Sequence, residues 1–187
     1  LLKRDPDTAT IITAGTGSGK TLSFYLPALI SIGELAQVGQ HWVKAVAIYP
    51  RVELLKDQLS EAFRRARFID SALLEAGRRP ITVGALFGST PTRPDQRSLG
   101  NAKWLRRGRA YVCPWFKCPQ CEGELTWCDD DIAGRTERLI CANAKCQHSI
   151  GSELLVLTRE QLVRHPPDIL FTTTEMLNQR MSDLGMR

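Results

Sequence analysis

The sequence predicts an α/β fold on a parallel sheet, with a smaller cysteine-bearing unit set into it. Three observations carry that expectation. Short, largely apolar runs at 8–13, 45–49, 81–87 and 169–173 read as strands covered on both faces. Segments with apolar residues at helical spacing stand between them, most clearly at 52–74. All six cysteines of the 187 residues fall between 113 and 146, where the alternation stops.

The elements follow in order. The run at 8–13 is expected to be the first strand, and 15–19 a glycine-rich turn. Residues 21–32 are apolar almost all round, so a buried helix is expected there, kinked at Pro27. Residues 45–49 form a strand that Pro50 ends. In 52–74, Leu55, Leu59, Ala62, Phe63, Ala66, Ile69 and Leu73 share one helical face, and Gly77 and Pro80 end the helix. A strand at 81–87 leads into an Arg-rich polar loop at 88–108. Beyond the cysteines come a strand at 154–157, a helix at 159–163, a strand at 169–173 and a helix at 175–179. The expected organisation is a first part of the main domain at 1–110, a cysteine insertion at 111–151, and a return to the main domain at 152–187.

Hydrophobic residues make up 43% and charged residues 24%, which fits a soluble globular chain and excludes a disordered tail, a collagen or a coiled coil. No apolar run approaches the ~20 residues of a membrane span, so no membrane partner is expected. The first residues, from Leu1 to Asp7, carry neither an initiator Met nor a signal-peptide core and read as a chain entered mid-sequence. The net charge is +5, but residues 64–109 hold eleven Lys/Arg against three Asp/Glu. That concentration points to a polyanion partner or to a solvated arginine-rich face. In particular, Arg106, Arg107 and Arg109 are expected to offer phosphate contacts.

Residues 14–21 read Ala-Gly-Thr-Gly-Ser-Gly-Lys-Thr. Gly15, Gly17 and Gly19 allow the backbone to curl so that successive N–H groups, with those of Thr16 and Ser18, face one anion. The helix that follows aims its positive end at the same point. Lys20 can reach the β- and γ-phosphates, and the Thr21 hydroxyl can ligate Mg²⁺. The apolar strand before and the helix after are the context this chemistry requires, and ATP with Mg²⁺ is the expected ligand.

With two further segments, this loop resembles the superfamily 2 helicases of the DEAD/DEAH-box group. Residues 14–21 look like motif I. Residues 47–58, with Tyr49-Pro50-Arg51 and Gln58, are similar to motif Ia. Residues 167–177, Pro-Asp-Ile-Leu-Phe-Thr-Thr-Thr-Glu-Met-Leu, resemble the Thr-Thr-Pro-Glu segment, with Thr174 where the family has Pro. Gly88-Ser89-Thr90 matches a nucleic-acid-contact turn weakly. The resemblance implies a RecA-like motor domain that couples ATP hydrolysis to movement on nucleic acid, DNA (or RNA), with DNA the favoured partner. Arg51, Thr172, Thr173 and Thr174 are then its backbone contacts, and a second RecA-like domain of the same protein closes the nucleotide cleft. No Asp-Glu-x-His segment stands in these 187 residues, so the chain alone is expected to be a fragment that hydrolyses almost nothing. Zinc-bearing helicases of this type occur in bacterial repair and in anti-phage defence, and the form of residues 49–51 suggests the defence group. Two alternatives remain: a P-loop ATPase that moves no nucleic acid, and a non-enzymatic zinc-containing module that binds nucleic acid.

Cys118-Pro-Gln-Cys121 has the spacing of a zinc knuckle, and Cys141 with Cys146 forms a looser one. Nineteen residues separate them, enough for a strand out and back. A Cys₄ Zn²⁺ site on these four residues is expected, with Cys113 or His148 as competing ligands. Such a site, without a secretion signal, fits a reducing cytoplasmic location better than disulfides do. Trp115, Phe116 and Trp127 are expected to form a miniature core rather than a base-stacking surface.

Overall fold

In the computed structural model, residues 20–185 are described. They form two sheets. The first is parallel and has the order β1-β9-β2-β8, from β1 (Ala45–Tyr49), β2 (Val83–Leu86), β8 (Leu155–Val156) and β9 (Ile169–Thr173). The second is antiparallel, β3-β4-β5-β6-β7 in sequence order, from β3 (Leu105–Arg107), β4 (Ala110–Val112), β5 (Leu125–Cys128), β6 (Arg138–Cys141) and β7 (Ser149–Gly151). The strand expected at 8–13 lies outside the described residues.

Apolar residues of β1, β9 and β2 alternate, and one set, including Val83, Ala85, Ile169 and Phe171, is buried. It faces α2 (Val52–Arg67), whose Leu55, Leu59, Ala62, Phe63 and Ala66 are fully buried. The helix read as continuous over 52–74 is broken. After Phe68 the chain restarts as α3 (Asp70–Glu75), and Arg67 is held to Asp70 at 2.7 Å across the break. The periodicity of Ile69 and Leu73 hides the break, because α3 resumes nearly the same face. On the opposite face, α6 (Arg159–Arg164) lies so close to β2 that a Cβ at Gly84 would stand 2.9 Å from Leu162 and from Pro167.

α1 (Lys20–Leu35) is less enclosed than its composition predicts. Tyr25, Leu29 and Ile32 are buried, whereas Leu26, Ile30 and Leu35 are exposed. The stretch 88–108 is not a loop throughout. It holds α4 (Gln96–Asn101), capped by Asp95, whose carboxylate accepts from the Ser98 N–H, and it holds β3 as well. Leu99, Ala102 and Trp104 are the few apolar residues that fasten this polar stretch down.

The two sheets share one core. Phe87 at the end of β2 meets Trp115, Trp115 meets Trp104, and Trp104 meets Trp127, with ring centroids about 6 Å apart. Phe116 reaches back to Phe63 of α2 at 5.2 Å. Both Trp104 and Trp115 donate their indole N–H to the Ser89 carbonyl. Trp115 and Trp127 are nearly inaccessible, so the reading of these aromatics as core holds.

At the amino ends of β1 and β9 lies a cluster that sequence reading did not single out. Asp168 is fully buried and accepts from Lys44 Nζ at 2.6 Å, from Arg79 at 2.6 and 2.8 Å, and from the Thr82 N–H at 2.8 Å. Burial pushes its carboxyl up, but the hydrogen bonds from Arg79, Lys44 and Thr82 outweigh this and hold it below the usual range. Asp168→Ala leaves two buried cations unpaired and is expected to cost about 3–5 kcal/mol in denaturant unfolding at pH 7. Because the folded-state value is depressed, the native carboxylate stabilises above the unfolded value of about 3.9 and loses that contribution as pH falls through the folded one. The difference from Asp168→Asn should therefore shrink below about pH 4. A gap independent of pH would mean that packing, not charge, is what the residue supplies.

Candidate functional site

Parallel strands place their carboxyl ends on one rim of the sheet. Tyr49 of β1 pairs with Thr173 of β9, and Leu86 of β2 pairs with Thr172. The chain leaving each strand therefore emerges side by side along this rim. Arg51 follows β1 there, exposed and extended at the N-cap of α2, and no side chain caps that helix. The helix leaves an open positive end beside a guanidinium, a combination suited to phosphate.

The three threonines at the end of β9 and the start of the next helix divide. Thr172 is buried and donates its hydroxyl to the Leu86 carbonyl at 2.8 Å. Thr173 is buried and its hydroxyl accepts from the Met176 N–H, capping α7 (Thr174–Gly185). Thr174 alone is exposed. It lines an open groove of about 570 Å³ with Glu175, Asn178 and Gln179. Thr172 and Thr173 thus shape the rim from within, and Thr174 presents itself to solvent. Thr90 is likewise spent internally, donating to the Ala85 carbonyl and accepting from the Phe87 N–H.

Lys20 and Thr21 open α1, while Gly15, Thr16, Gly17, Ser18 and Gly19 lie outside the described residues. α1 is tied to α2: the Tyr25 hydroxyl donates to Gln58, at 3.1 Å to its carbonyl and 3.2 Å to its side-chain oxygen. The helix that begins at Lys20 and the helix that follows Arg51 are therefore packed together.

The arginine-rich stretch behaves differently from the expectation. Arg106 pairs with Asp129 at 2.8 Å, Arg107 with Glu124 at 2.5 Å and Arg109 with Asp130 at 2.9 Å. Strand β3 lies beside β4, and β4 beside β5, so acidic residues 17–23 positions later come back against these arginines. The local excess of charge is largely neutralised, and the three arginines serve the antiparallel sheet.

Cys118, Cys121, Cys141 and Cys146 converge. Their four Sγ atoms lie within 4.8 Å of one another, with Cys118–Cys146 at 3.8 Å and Cys121–Cys141 at 3.4 Å. Sulfurs around a tetrahedral zinc with bonds of about 2.3 Å stand roughly 3.8 Å apart, so the donor set fits Zn²⁺. Each half ends in a left-handed residue, Glu122 at φ 58° and Gln147 at φ 48°, which turns the chain back around the sulfurs. A Cβ at Gly123 would approach both Cys121 and Cys141 Sγ to 3.2 Å, so glycine keeps the cradle open. The Gly123 backbone, with help from Cys141, pulls the Cys121 thiol down to about 7. Cys113 is buried in the shared core, and burial pushes its thiol up to about 12; Cys128 is also raised. Neither joins the cluster, nor does His148.

The model of the DEAD/DEAH box helicase family matches residues 3–105. The chain belongs to the DEAD/DEAH box helicase family. Its parallel sheet is accordingly of the RecA-like kind. The antiparallel sheet and its cysteines lie almost wholly outside the part this helicase-family match covers. The chain is also 36% identical over 118 residues to Druantia protein DruE of Escherichia coli (strain UMEA 4076-1). That similarity takes in 57% of this chain and 6% of the relative's length. No solved structure matches it.

Proposed function

We propose that this chain is the strand-binding part of an ATP-driven motor that moves on DNA. The observation that carries this reading is the rim itself. In a chain of the helicase family, Arg51 and Thr174 stand at the carboxyl ends of two adjacent parallel strands, each at the start of a helix. A DNA backbone laid across that rim meets a guanidinium, a hydroxyl and two helix N-termini in succession. ATP and Mg²⁺ would be held by Gly15–Thr21, with Lys20 on the β/γ-phosphates and Thr21 on the metal. A second RecA-like domain of the whole protein would close on that site. Zn²⁺ on Cys118, Cys121, Cys141 and Cys146 would play a structural part, in a domain organisation where 111–151 interrupts the motor. Anti-phage defence in the cytoplasm is the setting we favour. The Tyr49-Pro50-Arg51 sequence and the similarity to Druantia protein DruE support it.

Fluorescence anisotropy with a labelled duplex at several salt concentrations tests this. Arg51→Ala should make the plot of log K against log salt shallower by ~0.9, one phosphate contact. Replacing Arg106, Arg107 and Arg109 together by Ala should change it less, because those arginines already hold carboxylates. A slope unmoved by Arg51→Ala would remove the rim from the strand path.

A further inference from the structure

The rim does not stop at β2. Strand β8 lies beyond it in the sheet, parallel to it, and Val156 leads through Leu157 and Thr158 into α6 at the same carboxyl edge. The start of α6 is stitched to the chain leaving β2: the Arg159 N–H donates to the Pro91 carbonyl and the Glu160 N–H to that of Thr92. Against this corner comes Arg135, from the antiparallel sheet's connection between α5 (Asp129–Ala133) and β6.

Two adjoining clefts, of about 290 and 470 Å³, share Arg135 and Glu160 as lining. Arg93 and Arg159 line the larger and Arg164 the smaller. Four arginines thus face this corner. Glu160 is the acid facing both clefts, and it is shared: Arg135 reaches it at 2.9 Å and Arg164 at 2.7 Å. Glu137 is buried beneath and already committed, accepting from the Leu157 N–H and the Thr158 hydroxyl. Asp95 stands off Arg93 at 3.7 Å. Arg135 and Arg164 thus share a single carboxylate, in contrast to Arg106, Arg107 and Arg109 with one carboxylate each. Arg135 and Arg164 are both about three-fifths exposed, so their charge is open to a ligand. Arg135 also holds φ 56° just after α5, a position where glycine is the ordinary choice.

We propose that this junction is a second phosphate-binding station for the strand, supplied jointly by the motor's α6 and the cysteine-bearing sheet, an extension that rests on the function proposed above. From β1 to β8 the rim spans three strand spacings, about 14 Å, or roughly four phosphates at B-form spacing. A strand crossing Arg51 and Thr174 and continuing in line with the rim enters the clefts after that distance. The antiparallel sheet then acts as a grip on the strand and is fixed to the motor by the aromatic core. Contacts of this kind are to the backbone and carry no sequence preference.

The test uses the full-length protein, the same labelled duplex and three variants. Arg135→Ala with Arg164→Ala should flatten the salt slope by up to ~1.8, two contacts, with the thermal midpoint measured alongside to show that folding is intact. Glu160→Gln should act in the opposite direction: freeing both arginines steepens the slope and tightens binding at low salt, which a merely damaged structure would not do. Arg51→Ala reports on the rim. If Arg51→Ala weakens binding while the double variant and Glu160→Gln leave slope and affinity unchanged, the junction proposal is overturned and the motor reading stands. If none of the three moves the slope, both fall.

Discussion

Cys118→Ser or Cys141→Ser is expected to release one zinc ion per chain and to unfold the knuckle end of the antiparallel sheet. The two halves of the cluster, 118–123 and 141–148, contain little that could hold them otherwise. Their backbone bonds are tight turns, such as the Glu122 N–H to the Cys118 carbonyl and the Cys146 N–H to the Asn143 carbonyl. Two of the four sulfurs are on half-buried residues, so apolar burial adds little there. Metal–thiolate bonding of roughly 10–16 kcal/mol is what closes such loops. The far end of the same sheet is different. Trp127, Leu139 and Ile150 are buried and join the Trp104–Trp115 core shared with the motor. Loss of metal should therefore be graded. Hydrogen exchange should accelerate in 118–123 and 141–148, while the amides of β4 and β5 stay protected. Cys128→Ser should keep its zinc by elemental analysis, since that thiol lies outside the cluster. Protein that carries no metal yet shows slow exchange at the knuckles would end the zinc assignment.

The contrast between the two ends of that sheet also explains which parts could be read from sequence. Metal ligands are local in pattern: Cys118 and Cys121 announce themselves by spacing, and their partners Cys141 and Cys146 follow by residue type. The apolar run 169–173 likewise shows a buried parallel strand directly, whereas in 45–49 the same composition over-predicts burial, since Val46 and Ile48 stay about half exposed on one face. What sequence hides is whatever depends on distant partners. Asp168 finds Lys44 and Arg79, 124 and 89 positions away, and looks in isolation like any acid after a proline. Arg106 and Arg109 look like a basic loop until strand pairing sets Asp129 and Asp130 beside them. α4 escapes notice because Leu99 and Ala102 are too few to make a period, although Asp95 and Ser98 carry its capping pattern. At the rim, Thr172 and Thr173 are similar by type to Thr174. Only the register of β9 against β2 shows that the Thr172 hydroxyl turns inward, and Thr173 turns to its own helix.

Lys20→Ala is expected to reduce ATP hydrolysis by the full-length protein by at least about 10²-fold, the loss typical when a group that stabilises developing charge is removed. The reason is electrostatic. Charge builds on the oxygens between the β- and γ-phosphates as the bond breaks, and Lys20 is the cation the sequence provides for them. The helix N-terminus and the glycine-rich backbone remain, so some nucleotide binding should survive while turnover does not. Damage to the fold is an inadequate explanation for such a loss. Lys20 is the first residue of α1, and the helix is anchored further along by Tyr25, Leu29 and Ile32. Far-ultraviolet circular dichroism should therefore be unchanged in the variant. DNA affinity without nucleotide should also be close to normal, because Arg51 and Thr174 are on other elements. The link from Tyr25 to Gln58 then makes a further comparison informative. If ATP alters DNA affinity in the unsubstituted protein, that dependence should disappear in Lys20→Ala, since the signal originates at the phosphates. Turnover close to that of the unsubstituted protein would remove the ATPase assignment and return the chain to the non-enzymatic nucleic-acid-binding reading.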